Sequence, residues 1–169
     1  MLIRRIHPEE YEALAQITLA AYRQLSGGEP LGPYERQLTD VETRALDSEV
    51  YVALDDEGNL MGGVTFVPGP EHAMAEFHDP QAWGIRMLAT DPALQGRGAG
   101  RALVQACIER AREQRRARII LHSAPAMTLA QSLYARMGFV RAPELDEFIH
   151  EEGSADGEPL HLKAFNLTF

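Results

Sequence analysis

The sequence predicts an α/β fold in which one mixed sheet carries helices on its faces. Three observations point there. Ile85 to Thr90 is an apolar, extended run that passes through Asp91-Pro92 and a glycine-rich loop straight into a helix. Val50 to Leu54 and Leu60 to Val67 are strand-like runs joined across Asp55-Asp-Glu-Gly-Asn, a hairpin-type connection. Elsewhere apolar residues recur at helical spacing.

Taken in order, Leu2 to Ile6 reads as a first strand. Pro8 to Leu25 follows as a helix with Leu14, Ile17, Ala21 and Leu25 on one face. Ser26-Gly-Gly-Glu-Pro breaks it, and Pro33 to Ser48 is a second helical region carrying Tyr34, Leu38, Val41 and Leu46. The hairpin comes next, then a polar loop from Pro68 to about Gln81, then the strand before the glycines. A helix from Gly98 to about Gln114 buries Leu103, Val104, Cys107, Ile108 and Ala111. Ala117 to Ser123 is a strand whose Ile119-Ile120-Leu121 reads as a buried run. Thr128 to Met137 is a short helix with Leu129, Leu133 and Met137 aligned, ended by Gly138 in the place of a left-handed cap. Phe148 to Glu151 and His161 to Phe169 form two last strands, linked by the exposed loop Gly153 to Pro159. The resulting order is β-α-α-β-β-β-α-β-α-β-β.

Length and composition fit one soluble domain spanning residues 1–169. Hydrophobic residues make up 45% of the chain and charged ones 24%, as in ordinary globular proteins. No apolar run approaches a membrane span, so no membrane partner is expected. The first residues show no signal-peptide apolar region. A single cysteine, Cys107, cannot pair within the chain, so a reducing cytoplasm is expected, and its helical setting reads as packing. The formal net charge of −9 argues against a nucleic-acid partner. Arg97 and Arg101 flank the glycines, whereas Arg110, Arg112, Arg115, Arg116 and Arg118 gather at the far end of the next helix.

Gly96, Gly98 and Gly100 stand at alternate positions ahead of that helix. Absent side chains let a ligand approach the backbone, and the free N–H groups of a helix start suit phosphate. The dinucleotide pattern G-x-G-x-x-G fails in both registers, at Arg101 and at Leu103. A phosphate loop ending in Gly-Lys-Ser/Thr fails too, because the chain's one lysine is Lys163. What fits is Q-x-x-G-x-G in Gln95, Gly98 and Gly100, which resembles the acyl-CoA-binding motif of the GCN5-related N-acetyltransferases (GNAT). Ala130-Gln-Ser-Leu-Tyr-Ala-Arg-Met-Gly-Phe resembles the A-x-x-L-Y-x-x-x-G-F segment of the same family. One departure is Met127, seven residues before Tyr134, where relatives often carry Asn.

The resemblance implies a single-domain, mostly antiparallel sheet and direct acetyl transfer from acetyl-CoA to a primary amine, of a small molecule or a peptide. By the same resemblance, backbone groups of Met87, Leu88, Ala89 and Thr90 hold the pantetheine arm. Gln95, Gly96, Arg97, Gly98, Ala99, Gly100 and Arg101 cradle the pyrophosphate. Tyr134 is the proton donor to the CoA sulfur, and a phenol keeps its proton at neutral pH. No carboxylate lies on the strand at Gly84 or Arg86, so the general base is open among Glu76, His78, Asp79 and ordered water. The loop from Glu71 to Asp79 matches no standard metal-ligand spacing, and no metal is expected. Its acidic character would favour a cationic amine. His122 beside Ser123, and Ser132, lack the G-x-S-x-G setting of a hydrolase nucleophile. Two rivals stand beside the acetyltransferase: a catalytically silent acyl-CoA-binding sensor, and another kind of nucleotide-binding α/β domain. The resemblance also allows a homodimer through the C-terminal strands.

Overall fold

The computed structural model describes residues 1–149 and 159–169. The chain opens with β1 (Leu2–Arg5), a 3-10 turn over Pro8–Glu10 and α1 (Tyr11–Leu25). α2 (Tyr34–Thr39) and α3 (Val41–Asp47) precede β2 (Glu49–Leu54), β3 (Leu60–Val67) and β4 (Ala82–Thr90). Then come α4 (Ala99–Glu113), β5 (Arg118–Ser123) and α5 (Thr128–Arg136). β6 (Val140–Arg141), β7 (Glu147–Ile149) and β8 (Leu160–Thr168) complete the described elements.

The strands lie in the order β1-β2-β3-β4-β5-β8-β6, with β7 also on β8. Among the described residues only β4 and β5 run parallel, and every other pair is antiparallel. A parallel pair needs a crossover, and α4 supplies it. Among the described residues no helix is long and apolar enough to cross a membrane.

The element order departs from the expected one at two places. The helical region from Pro33 to Ser48 is broken at Asp40, whose carboxylate accepts the Thr43 N–H at 3.1 Å and caps α3. The two-residue β6 is added, too short to leave a periodic signal. The strand expected over Phe148 to Glu151 is β7, and residues 150 and 151 lie outside the described residues. So do residues 153–158 of the expected loop from Gly153 to Pro159.

Three expected apolar faces are also rotated. α1 buries Leu14, Ala15 and Thr18 and leaves Leu25 exposed. Thr18 enters the buried row because its hydroxyl donates to the Leu14 carbonyl at 2.8 Å, a solution that hydrophobic spacing cannot reveal. α3 turns Val41 and Arg44 inward and Leu46 outward, and α5 buries Tyr134 while Leu129 faces solvent.

α4 and α5 cover one face of the sheet. There Leu103, Val104, Cys107 and Ile108 pack on Phe66, Trp83 and Ile85. Each large side chain so buried contributes roughly 1.5–3 kcal/mol. Cys107 is fully buried and its thiol pKa is pushed up, so it packs as a small hydrophobe. The other face carries α1 to α3, with Leu14, Val41, Val50 and Val52 in one cluster and Leu38, Val67, Met74, Phe77 and Met87 in another. The distal arginines tie α4 to the sheet. Arg110 forms a two-pronged pair with Glu49 at 3.0 and 2.9 Å, and Arg116 lies over the Trp83 ring.

Asp146 fastens the C-terminal strands. Its carboxylate accepts two bonds from Arg141 at 2.7 Å, one from His161 at 2.6 Å and the Ala164 N–H at 2.8 Å. The Arg141 guanidinium, foremost among these donors, holds the carboxyl well below the usual carboxylate range. A depressed native pKa stabilises the fold above the unfolded value near 3.9, and that contribution is lost as pH falls below it. Asp146→Asn is therefore expected to cost about 1–3 kcal/mol at pH 7 in urea unfolding, and clearly less at pH 3.

Candidate active site

The glycine loop ends in a helix start with unused donors. Gly96 and Gly98 take φ of 83° and 88°, the left-handed region that favours glycine. Gly98 is the N-cap of α4, and the first helical bond runs from the Ala102 N–H to the Gly98 carbonyl at 3.0 Å. The N–H groups of Gly98, Ala99, Gly100 and Arg101 thus have no acceptor within the helix. Arg97 and Arg101 are exposed beside them. Gln95 lends its side chain to Gln24 of α1 at 3.1 Å. A Cβ placed on Gly100 would stand 3.7 Å from both Thr90 and Leu133, so the end of β4, the start of α4 and the side of α5 converge.

β4 carries one residue too many. Thr65 pairs with Arg86 and Gly63 with Ala89, so three steps on β4 match two on β3. Met87 absorbs the excess at φ 49°, a conformation that non-glycine residues rarely hold. The bulge puts two successive side chains on one face. Arg86 donates to the Met74 carbonyl at 2.9 Å, Met87 packs in the same cluster as Met74, and Leu88 turns to the α4 side. Pairing with β5 runs from Ala82–Arg118 to Ile85–Leu121 and stops, although β4 continues to Thr90. Beyond Ile85 the β5-facing main-chain groups of β4 have no strand partner, and the two strands part.

At this fork stands Glu76. Its carboxylate meets the Arg86 guanidinium at 3.0 Å on β4 and lies 3.6 Å from Nδ1 of His122 on β5. His122 is nearly enclosed, and its Nε2 donates to the Leu145 carbonyl at 2.8 Å, which leaves Nδ1 toward Glu76. Glu76 reaches the fork because Gly84 has no side chain. A Cβ there would stand 2.5 Å from Phe77, whose buried ring seats the loop on the sheet. Glu76, His122 and Leu145 line a cleft of about 220 Å³.

The other candidate bases are placed differently. Asp79 is committed to Arg118 at 2.6 Å, and His78 is exposed on the cleft rim. Glu76 and Asp79 are both paired to arginines, whereas Glu71 is exposed and lies 3.7 Å from His72. Among the described residues no three His, Cys, Asp or Glu side chains gather as a metal site requires.

Tyr134 is buried on α5, with its ring against Phe139 at 5.8 Å and Phe165 at 6.2 Å. Burial pushes its phenol pKa up, so the hydroxyl keeps its proton across the neutral range. That hydroxyl forms no hydrogen bond among the described residues. Met127 leads into α5 without a side-chain cap, and Gln131 anchors the helix instead through the Ala124 carbonyl at 2.8 Å.

A model of the Acetyltransferase (GNAT) family matches residues 11–139, which spans the glycine loop, the bulge and Tyr134. The chain belongs to this family. Solved GNAT-like structures share its fold over nearly the whole length. A ribosomal-protein-alanine N-acetyltransferase from Brucella melitensis is 21% identical with a TM-score of 0.72, each chain covered in full. yncA from Salmonella typhimurium, solved with acetyl-CoA, is 21% identical with a TM-score of 0.68, over 99% of this chain and 93% of that one. The ribosomal-protein-S18-alanine N-acetyltransferase of Escherichia coli is 17% identical with a TM-score of 0.69, over 99% and 92%. Comparison with curated proteins finds no match. The GNAT assignment sets aside the reading as another nucleotide-binding α/β domain.

Within this GNAT fold the sequence reading missed Arg86 and His122 as partners of Glu76. The strand period offered a signal: Ala82, Gly84 and Arg86 alternate on one face of β4, and Arg118, Ile120 and His122 alternate on β5. The seat of the loop supplies a direct check. Phe77→Ala is expected to destabilise the protein by about 3 kcal/mol in denaturant unfolding and to release Glu76 from Arg86 in a crystal structure of the variant.

Proposed function

We propose that this chain moves an acetyl group from acetyl-CoA directly to a primary amine held at the fork of β4 and β5. The single observation behind this reading is that parting of the strands, with a donor-rich helix start at one end and the Glu76 carboxylate at its root. The residues fit the donor. Backbone N–H groups from Gly98 to Arg101 offer bonds to a pyrophosphate, with Arg97 and Arg101 beside it, and Gln95 and Gly96 shape the entry to that loop. The unpaired edge formed by Met87, Leu88, Ala89 and Thr90 offers strand-like bonds to the pantetheine arm. The donor supplies an activated carbonyl on a thiol leaving group.

The acceptor reacts as the neutral amine; Glu76 takes the one proton its nitrogen must shed, and His122 Nδ1 stands in place to accept it onward. The amine nitrogen then bonds to the carbonyl carbon while the carbon–sulfur bond breaks, with a β4 N–H facing the carbonyl oxygen. Tyr134 gives its proton to the departing sulfur. This leaves Tyr134 one proton short and the Glu76–His122 pair one ahead, a difference that water evens out. The lone buried thiol fits a reducing, cytoplasmic setting.

Mixing the protein with acetyl-CoA and a panel of primary amines should release CoA thiol. Acetyl-CoA binding without thiol release across the panel would favour a silent sensor. Glu76→Gln should lower kcat/KM by about 100-fold. Tyr134→Phe, which keeps the packing, should lower kcat about tenfold or more with the acetyl-CoA Kd within a factor of about two in calorimetry. An unchanged kcat would remove Tyr134 from the chemistry.

A further inference from the structure

Arg44 is the one arginine among the described residues whose whole side chain is buried, at 3% exposure, and it holds no carboxylate. Its Nη1 donates to the Leu38 carbonyl at 2.7 Å and the Gln37 carbonyl at 3.1 Å, and it touches Met87 Sδ at 2.8 Å. None of these partners is charged. Its Nε is buried with no partner among the described residues. The contrast with other arginines is sharp: Arg4, Arg23, Arg86, Arg110, Arg118 and Arg141 each grip a carboxylate while being more exposed. Asp40, the acid near Arg44, caps α3, and its carboxylate acts on the Arg44 guanidinium through space without touching it. A guanidinium taken out of water without a counter-charge costs several kcal/mol, so proteins pair such groups.

The place of this cation gives it meaning. Arg44 contacts Met87, the bulge residue, whose neighbour Arg86 holds Glu76. Tyr22 and Tyr34 lie within electrostatic reach of both arginines and meet edge to face at 6.1 Å. Tyr22 forms no side-chain hydrogen bond among the described residues. Two cations and two phenols thus gather about the bulge, where Arg86 touches the carboxylate proposed to receive the amine's proton and Arg44 touches Met87, the next residue on β4.

We infer that the acceptor is an amino acid, whose carboxylate Arg44 receives beside Arg86 while its amine meets Glu76. This deepens the acetyl-transfer reading and rests on it. A guanidinium matches a carboxylate in two-pronged geometry, and the two phenol hydroxyls add donors to the same oxygens. An amino acid carries its amine and carboxylate one carbon apart, which suits a site where Glu76 is held by Arg86 and Arg44 touches Met87, the next residue on the same strand. A polyamine or a protein lysine brings no such anion and would leave Arg44 uncompensated.

The test compares common amino acids with their α-carboxamides and decarboxylated amines as acceptors for the full chain with acetyl-CoA. The best free amino acid should exceed its carboxamide in kcat/KM by at least about 30-fold, expressed in KM. Arg44→Met should collapse that ratio to within about threefold of unity, and Arg44→Lys should restore part of it. Carboxamides or simple amines used as well as amino acids would overturn the inference while leaving acetyl transfer intact, as would an Arg44→Met variant that keeps the full ratio. Should Arg44→Met not fold, the wild-type ratio decides alone. Absence of turnover with every amine would overturn the transfer reading and this one with it.

Discussion

The extra residue that β4 inserts between its pairings with Thr65 and Gly63 constrains everything arranged around the cleft. Met87 accepts an unfavourable φ, a strain of order 1–3 kcal/mol that persists because packing on both faces of the sheet holds it. In return the strand turns away from β5 after Ile85, and two neighbouring side chains, Arg86 and Met87, face the same way. One recruits the carboxylate at the fork. The other meets the buried Arg44. A regular β4 would keep pairing with β5 and leave no gap between the strands.

The bulge alone would open the sheet without equipping it. Gly84 admits Phe77, Phe77 seats the loop, and the loop brings Glu76 across the fork to Arg86 and His122. On the far side, Asp146 fixes the turn whose Leu145 carbonyl orients His122. Each polar group at the fork is therefore positioned by a partner that is itself anchored in the fold. These pairs are partly buried, where solvent screens a charge less than it does on an open surface.

The glycine loop and the start of α4 were legible in the sequence because they are local. Gln95 to Gly100 combine turn chemistry and helix start within a few residues, and Leu133-Tyr134 with Gly138-Phe139 stand at a fixed distance downstream. The face of α4 was legible for the same reason, since its apolar spacing is unbroken. The polar cluster at the fork was not. Glu76, Arg86 and His122 come from three separate segments, and no single stretch carries their pattern. Asp40 hid a helix start inside what reads as one helical region, and so hid that Arg44 points inward. Leu46 and Leu129 misled because an apolar residue on a short helix does not specify which way that helix is rolled.

The central claim is that the main chain past the bulge and at the start of α4 holds the acyl donor. Amide hydrogen exchange, measured residue by residue with and without saturating acetyl-CoA, tests it most directly. Exchange at residues 87–90 and 98–101 should slow at least about tenfold on binding. Unchanged exchange in both segments, with protection appearing elsewhere, would contradict the account.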